Sequence, residues 1–140
     1  MNDATAMPLL TALTMPVRWR DLDAFNHANN STYLTYIEET RLHWMGQLPG
    51  EWMNASYSPL LAAVHVNYRR AVNWPATVVV ELYCARLGNT SVTLAHRIVD
   101  ADDRTVLYSD GESVMVWVDP TSGKPVPLPE VIRKACKTLR

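Results

Sequence analysis

Along this chain the apolar residues switch between two periods, and the switch predicts most of the secondary structure. Leu60 to Val72 alternates, with Val64, Val66 and Tyr68 on one side and His65, Asn67 and Arg69 on the other, as a strand does. Thr77 to Leu87, Ser91 to Val99 and Thr105 to Val118 are further strand-like runs, joined by turns at Gly88-Asn89 and at Asp100 to Arg104. Connections that short predict antiparallel neighbours. Ahead of these runs, Tyr33, Ile37, Thr40, Trp44 and Leu48 recur at spacings of four and three, which predicts one long helix. It starts from Asn29 or Asn30 as N-cap and stops near Leu48, before Pro49-Gly50. Met15 to Arg20 alternates apolar with basic and reads as a strand leading towards it. Residues 1 to about 13 have no period and read as a loose or partner-docked leader. Glu51 to Pro59 reads as a loop able to cover a pocket mouth, and Pro129 to Leu139 as a short terminal helix.

One long helix set early among about five antiparallel strands implies an α+β domain. The helix can bury its apolar stripe only by lying across the concave face of a curved sheet. A chain of 140 residues suits a single domain spanning 1–140. Such a sheet has edges to cover and apolar residues on its outer side, among them Val114, Val116 and Val118. A homodimer or homotetramer follows as the expectation.

Composition narrows the function classes. A net charge of −1 argues against a general nucleic-acid binder. The only cysteines, Cys84 and Cys136, show no metal-ligand spacing, so no metal and a reduced, cytoplasmic setting are expected. The first Lys or Arg is Arg18, and Pro8 and Pro16 interrupt the early apolar run, so neither a signal peptide nor membrane insertion is expected. There is no G-x-S-x-G, G-x-x-x-x-G-K-[ST], H-E-x-x-H or G-x-G-x-x-G, which removes serine hydrolases, P-loop NTPases, zincins and dinucleotide enzymes.

Candidate chemistry concentrates between Arg20 and Tyr33, where a strand-like run gives way to the helix. Carboxylates at Asp21 and Asp23, an imidazole at His27 and amides at Asn29 and Asn30 fall together there. The first turn of a helix offers unpaired N–H groups and a partial positive charge, both suited to a carbonyl oxygen that becomes negative during reaction. A carboxylate beside such a site can hydrolyse an activated ester whose leaving group needs no proton. A thiol, with pKa about 8.5, leaves as thiolate near neutral pH, which favours a thioester.

The pattern Asp21-x-Asp23-x-x-x-His27-x-Asn29-Asn30-x-x-Tyr33, following a strand and opening a helix with Glu38 and Arg41, resembles the signature of the hotdog-fold acyl-CoA thioesterases of the 4-hydroxybenzoyl-CoA thioesterase family. The similar element order runs from about Met15 to Pro127. The resemblance implies a catalytic carboxylate at Asp23, acting as general base or as nucleophile, and a backbone N–H at Asn30 that polarises the thioester carbonyl. It implies an acyl-CoA substrate and no cofactor beyond the coenzyme A of that substrate. The better-studied members read Asp-x-x-Gly after the catalytic residue, whereas this chain reads Asp23-Ala24-Phe25-Asn26-His27.

His27 is either a loop histidine bonded to backbone or a partner of Asp23 or of the substrate carbonyl. Asn29 and Tyr33 are candidate substrate contacts, and Asn29 is also a favoured cap. Arg69, Arg70 and Arg86 offer positive charge for the phosphates of coenzyme A, or else are merely solvated. Glu38 with Arg41, and Glu39 with His43, read as surface ion pairs of the helix. His65 and His96 read as hydrogen-bonded sheet residues. Two alternatives stand beside the thioesterase: a hotdog hydratase or dehydratase using Asp23 and His27, and a non-catalytic acyl-CoA binding protein. The hydratase motif of this fold spaces its Asp and His by about five residues with a Pro between, unlike the four seen here.

Overall fold

The computed structural model describes residues 7–137. The elements run β1 (Leu9–Pro16), a 3-10 turn (Trp19–Asp21), α1 (Asn30–Gly46), β2 (Ser58–Tyr68), β3 (Thr77–Leu87), β4 (Ser91–Asp100), β5 (Leu107–Val118) and α2 (Glu130–Lys137). The five strands form one sheet in the order β1-β3-β4-β5-β2, with every neighbouring pair antiparallel. This is the hotdog arrangement, a curved sheet around a long helix.

The side-chain period of two decides which residues meet α1. Val78, Val80, Leu82 and Cys84 of β3 and Val92, Leu94, His96 and Ile98 of β4 are all buried. They share the face on which Tyr33, Tyr36 and Ile37 pack in one cluster and Trp44 and Met45 in a second. The second cluster is completed by Met115 and Trp117 of β5 and by Leu128, Ile132 and Cys136 from the C-terminal segment.

Two expectations are corrected. Leu9 to Leu13 are not a loose leader: they belong to β1 and pair with β3, from Leu9 with Tyr83 to Pro16 with Thr77. Residues 1–6 of that predicted leader lie outside the described residues. An edge strand needs only one ladder of backbone bonds, so it can form without the alternation that a half-buried central strand must show. The predicted strand Met15 to Arg20 is likewise cut short, because β1 ends at Pro16 and the chain turns into the 3-10 helix at Trp19. That turn aims Asp21 and Asp23 differently, where an unbroken strand would have put both on one side.

At the opposite edge, β2 exposes Leu60 (54%), Leu61 (47%) and Val64 (39%). An apolar strand edge of that kind invites pairing with another strand.

Candidate active site

Asn29 caps α1. Its backbone is extended and its Oδ1 accepts from the Ser31 N–H at 2.9 Å and from the Ser31 hydroxyl at 2.8 Å. The side chain offered above as a substrate contact is therefore already committed to starting the helix. Asn30, the first helical residue, keeps an N–H with no protein acceptor among the described residues. Its carbonyl accepts from the Tyr68 hydroxyl at 3.2 Å, which ties the end of β2 to the helix start.

The segment from Leu22 to Ala28 doubles back on itself. Leu22 bridges Ala28, the Asp23 N–H donates to His27 O at 2.9 Å, and the Asn26 N–H donates to Asp23 O at 3.0 Å. Asn26 turns the corner with φ +65°. This explains the departure from Asp-x-x-Gly: Asn26 stands where the family places glycine and adopts the left-handed conformation that Asn tolerates best among residues with a side chain. The loop is pinned to the segment before β3 by Ala28 N–H to Val72 O (2.8 Å), by Val17 N–H to Ala76 O (2.9 Å) and by the bridge from His27 to Asn73.

The two carboxylates now have distinct jobs. Asp21 is buried, accepting from the Arg18 N–H at 2.9 Å, the Arg18 guanidinium at 3.1 Å and the Tyr36 hydroxyl at 2.7 Å. Burial works against its charged form, but the Arg18 N–H, the Tyr36 hydroxyl and the Arg18 guanidinium outweigh it and hold the carboxyl below its ordinary range. In return, burial and the carboxylate together push the Tyr36 hydroxyl well above its usual value. Asp21 is thus a support inside the turn. Asp23 is only half-buried; its Oδ1 accepts the Phe25 N–H at 2.9 Å in an Asx turn, and its second oxygen has no protein partner among the described residues. The turn fixes the carboxylate while leaving one oxygen available for water or substrate.

His27 is exposed, and no hydrogen bond joins its imidazole to Asp23 among the described residues. Tyr33 is buried, with its hydroxyl donating to Arg70 O at 3.2 Å and its ring edge-on to Tyr68 at 4.9 Å, so it braces the exit of β2 against α1. Arg69 is held by Asp110, through Nε at 3.1 Å and Nη2 at 3.0 Å. Arg70 is exposed next to it. Arg86 lies near the far end of β3 from the Asp23 loop, about 30 Å away by strand rise. In one chain Arg86 is therefore not brought to Asp23.

The predicted surface pair of Glu38 with Arg41 is also corrected: neither it nor Glu39 with His43 forms an ion pair among the described residues, and Arg41 is buried instead. The helix turns that residue towards the sheet, where its Nη1 donates to Ser113 Oγ at 3.4 Å. His65 and His96 are sheet residues as read, bonded to Asn67 Oδ1 at 3.0 Å and to Ser109 Oγ at 3.2 Å. The sequence reading missed Tyr36, Tyr68 and Arg18 as supports of the site. Tyr36 lies one residue before Ile37 of the predicted apolar stripe, so its burial was readable, but its bond to Asp21 spans fifteen residues.

Among the described residues no group of three or more His, Cys, Asp or Glu side chains is placed to hold a metal ion. No helix among them is long and apolar enough to cross a membrane.

Comparison with known proteins gives a consistent picture. A structure titled "a putative acyl-CoA thioesterase" from Xanthomonas campestris is 43% identical, with TM-score 0.77 over 85% of this chain and 98% of that one. A "putative Thioesterase" from Pseudomonas aeruginosa, the PA2801 protein, is 38% identical, with TM-score 0.85 over 91% of this chain and 98% of that one. A thioesterase from Thermus thermophilus, solved with coenzyme A and Zn, is 28% identical, with TM-score 0.77 over 95% of this chain and 94% of that one. The model of the thioesterase-like superfamily matches residues 17–136, which takes in the Asp23 loop, the capped helix and the whole sheet from β2 onward. The chain belongs to the thioesterase-like superfamily.

Proposed function

We propose that this chain is a thioester hydrolase acting on acyl-CoA, giving a carboxylic acid and coenzyme A. The observation that carries the reading is the contrast between the two carboxylates: Asp21 is consumed by three donors, while Asp23 is clamped through one oxygen and open at the other, beside the N-terminus of α1. Asp23 activates water as general base or attacks the carbonyl to form a mixed anhydride. The Asn30 N–H receives the developing oxyanion, helped by the partial positive charge of the helix end. The thiolate departs without a proton, so the exposed His27 has no required acid role. Arg70 supplies charge for the coenzyme A phosphates. Arg69 is offered to them only in competition with Asp110, and Arg86 reaches them only from a neighbouring subunit. The apolar edge of β2 supports a homodimer, and the cysteine usage supports the cytoplasm as its setting.

Thiol release from a panel of acyl-CoAs tests the activity directly. Asp23→Asn is expected to lose about two or more orders of magnitude in kcat, because an amide neither takes a proton nor attacks. His27→Ala is expected to cost at most about ten- to two-hundred-fold, the value of one hydrogen bond. Consumption of an enoyl-CoA without thiol release, abolished in His27→Ala, would establish the hydratase instead.

A further inference from the structure

The two apolar clusters of the core do not merge. Between them the helix-facing positions contribute Arg41 of α1, His96 of β4, and Ser109 and Ser113 of β5, with exposures of 7, 1, 0 and 1%. Two groups in this seam are unspent. The Arg41 guanidinium has five donors, yet among the described residues its one hydrogen bond is the long contact to Ser113, and it has no ion pair, only the charge of Glu38 one turn before it. His96 uses Nε2 on Ser109, and its Nδ1 is the buried side-chain polar atom left without a partner among the described residues. Buried polar groups are normally satisfied, and a buried cation normally has an anion.

The seam is bordered by exposed residues on one side. Ser109, Gly111 and Ser113 alternate on the helix-facing side of β5, and the register sets them against Tyr68, Val66 and Val64 of β2. Gly111 is required there: a Cβ would collide with His65 O and meet His96 Cε1 at 2.8 Å. These small residues let the His96 ring and the β2 backbone pack closely over β5. Beside them Val64 and Tyr68 remain exposed on the strand, and Leu34 and Glu38 on the helix, two turns and one turn before Arg41. This exposed border reaches the contact of Tyr68 with Asn30, at the amide proposed for the oxyanion. Eleven residues of helix separate Asn30 from Arg41, about 16 Å, and an arginine leans back towards the N-terminus, so its head lies on the order of 10 Å from that amide.

We infer that this seam is a subsite for the far end of the acyl group, in which the Arg41 guanidinium, supported by Ser113 and His96, receives a carboxylate carried on the acyl chain. The inference rests on the acyl-thioester reading of the Asp23 site and adds a substrate class to it: acyl-CoAs of medium length with a second carboxylate. An uncharged alkyl terminus would instead leave Arg41 with no ion pair and only the charge of the exposed Glu38 one turn away.

The test compares suberyl-CoA with octanoyl-CoA, which share a chain length and differ in the terminal carboxylate. Wild-type protein is expected to favour suberyl-CoA about tenfold or more in kcat/KM, mainly through KM. Arg41→Met should bring the ratio to about one, and Arg41→Lys should retain part of it. Should Arg41→Met fail to fold, Ser113→Ala, which removes the group orienting the guanidinium, should reduce the ratio without abolishing it. Equal or better turnover of octanoyl-CoA by wild type, or an unchanged ratio in the variants, would overturn the subsite. If neither ester releases thiol, the hydrolase reading fails by itself. The subsite is then read from tryptophan fluorescence with the non-hydrolysable thioether analogues of both substrates, where equal affinities would refute it.

Discussion

Replacing Asp21 by Asn should separate the two carboxylates into a stability residue and a reaction residue. Asp21 accepts from Arg18 and Tyr36, but Arg18 is half exposed, so solvent screens its guanidinium contact and that contact contributes little. The bonds that count are those from the Arg18 N–H at 2.9 Å and the buried Tyr36 hydroxyl at 2.7 Å, both made to a charged acceptor. Both end on Oδ2, so an amide turned with its oxygen there keeps both, but as bonds to a neutral acceptor, each weaker by about 1 kcal/mol. Together that is about 2 kcal/mol, or on the order of 6 °C in melting temperature. Asp23→Asn should lie within about 0.5 kcal/mol of wild type, since its amide oxygen still accepts the Phe25 N–H in the Asx turn. The assay is urea unfolding followed by tryptophan fluorescence at fixed protein concentration, beside thiol release at the same pH. The pH dependence gives a second handle. The folded pKa of Asp21 is depressed, so its contribution is fully present above the ordinary value of 3.8 and is lost as pH falls through the folded value. The gap between wild type and Asp21→Asn should therefore close in acid. Unchanged stability of Asp21→Asn at pH 7, together with a loss of turnover equal to that of Asp23→Asn, would refute the division of labour.

Other consequences are open to measurement. Burial lowers the His96 pKa from 6.5 to about 4, so the unfolded chain binds the extra proton between these values and stability should drop by about 3 kcal/mol as pH falls from 6.5 to 4; a His96→Gln variant with the same pH slope would contradict this. Asn26→Gly should be nearly neutral and Asn26→Val should cost on the order of 1 to 2 kcal/mol, because only the latter is strained at the left-handed corner; equal melting temperatures would show the corner relaxes freely. Charging the β2 edge with Leu60→Lys and Leu61→Lys should shift a dimer towards monomer in light scattering, and a wild-type monomer would remove the interface.

What the chain discloses by itself is what depends on near neighbours. The boundaries of β3 are those of its apolar run, and the Asn29 cap, the stop before Pro49-Gly50 and the tight turn at Gly88-Asn89 each follow from residues within a few positions. The Asp-x-Asp pattern and the helix start could therefore be placed together from sequence, because a strand end and a capped helix sit close along the chain. Long-range pairing was beyond that reach. That β1 begins at Leu9 depends on an edge offered by β3 some seventy residues later, and the role of Asp21 depends on a tyrosine in the second turn of α1. Arg41 carried the sequence signature of a surface pair with Glu38, yet the rotation of α1 on the sheet turned it inward. Rotation of a helix, register of distant strands and burial of a charge are set by the packing of the whole core, and no local pattern encodes them.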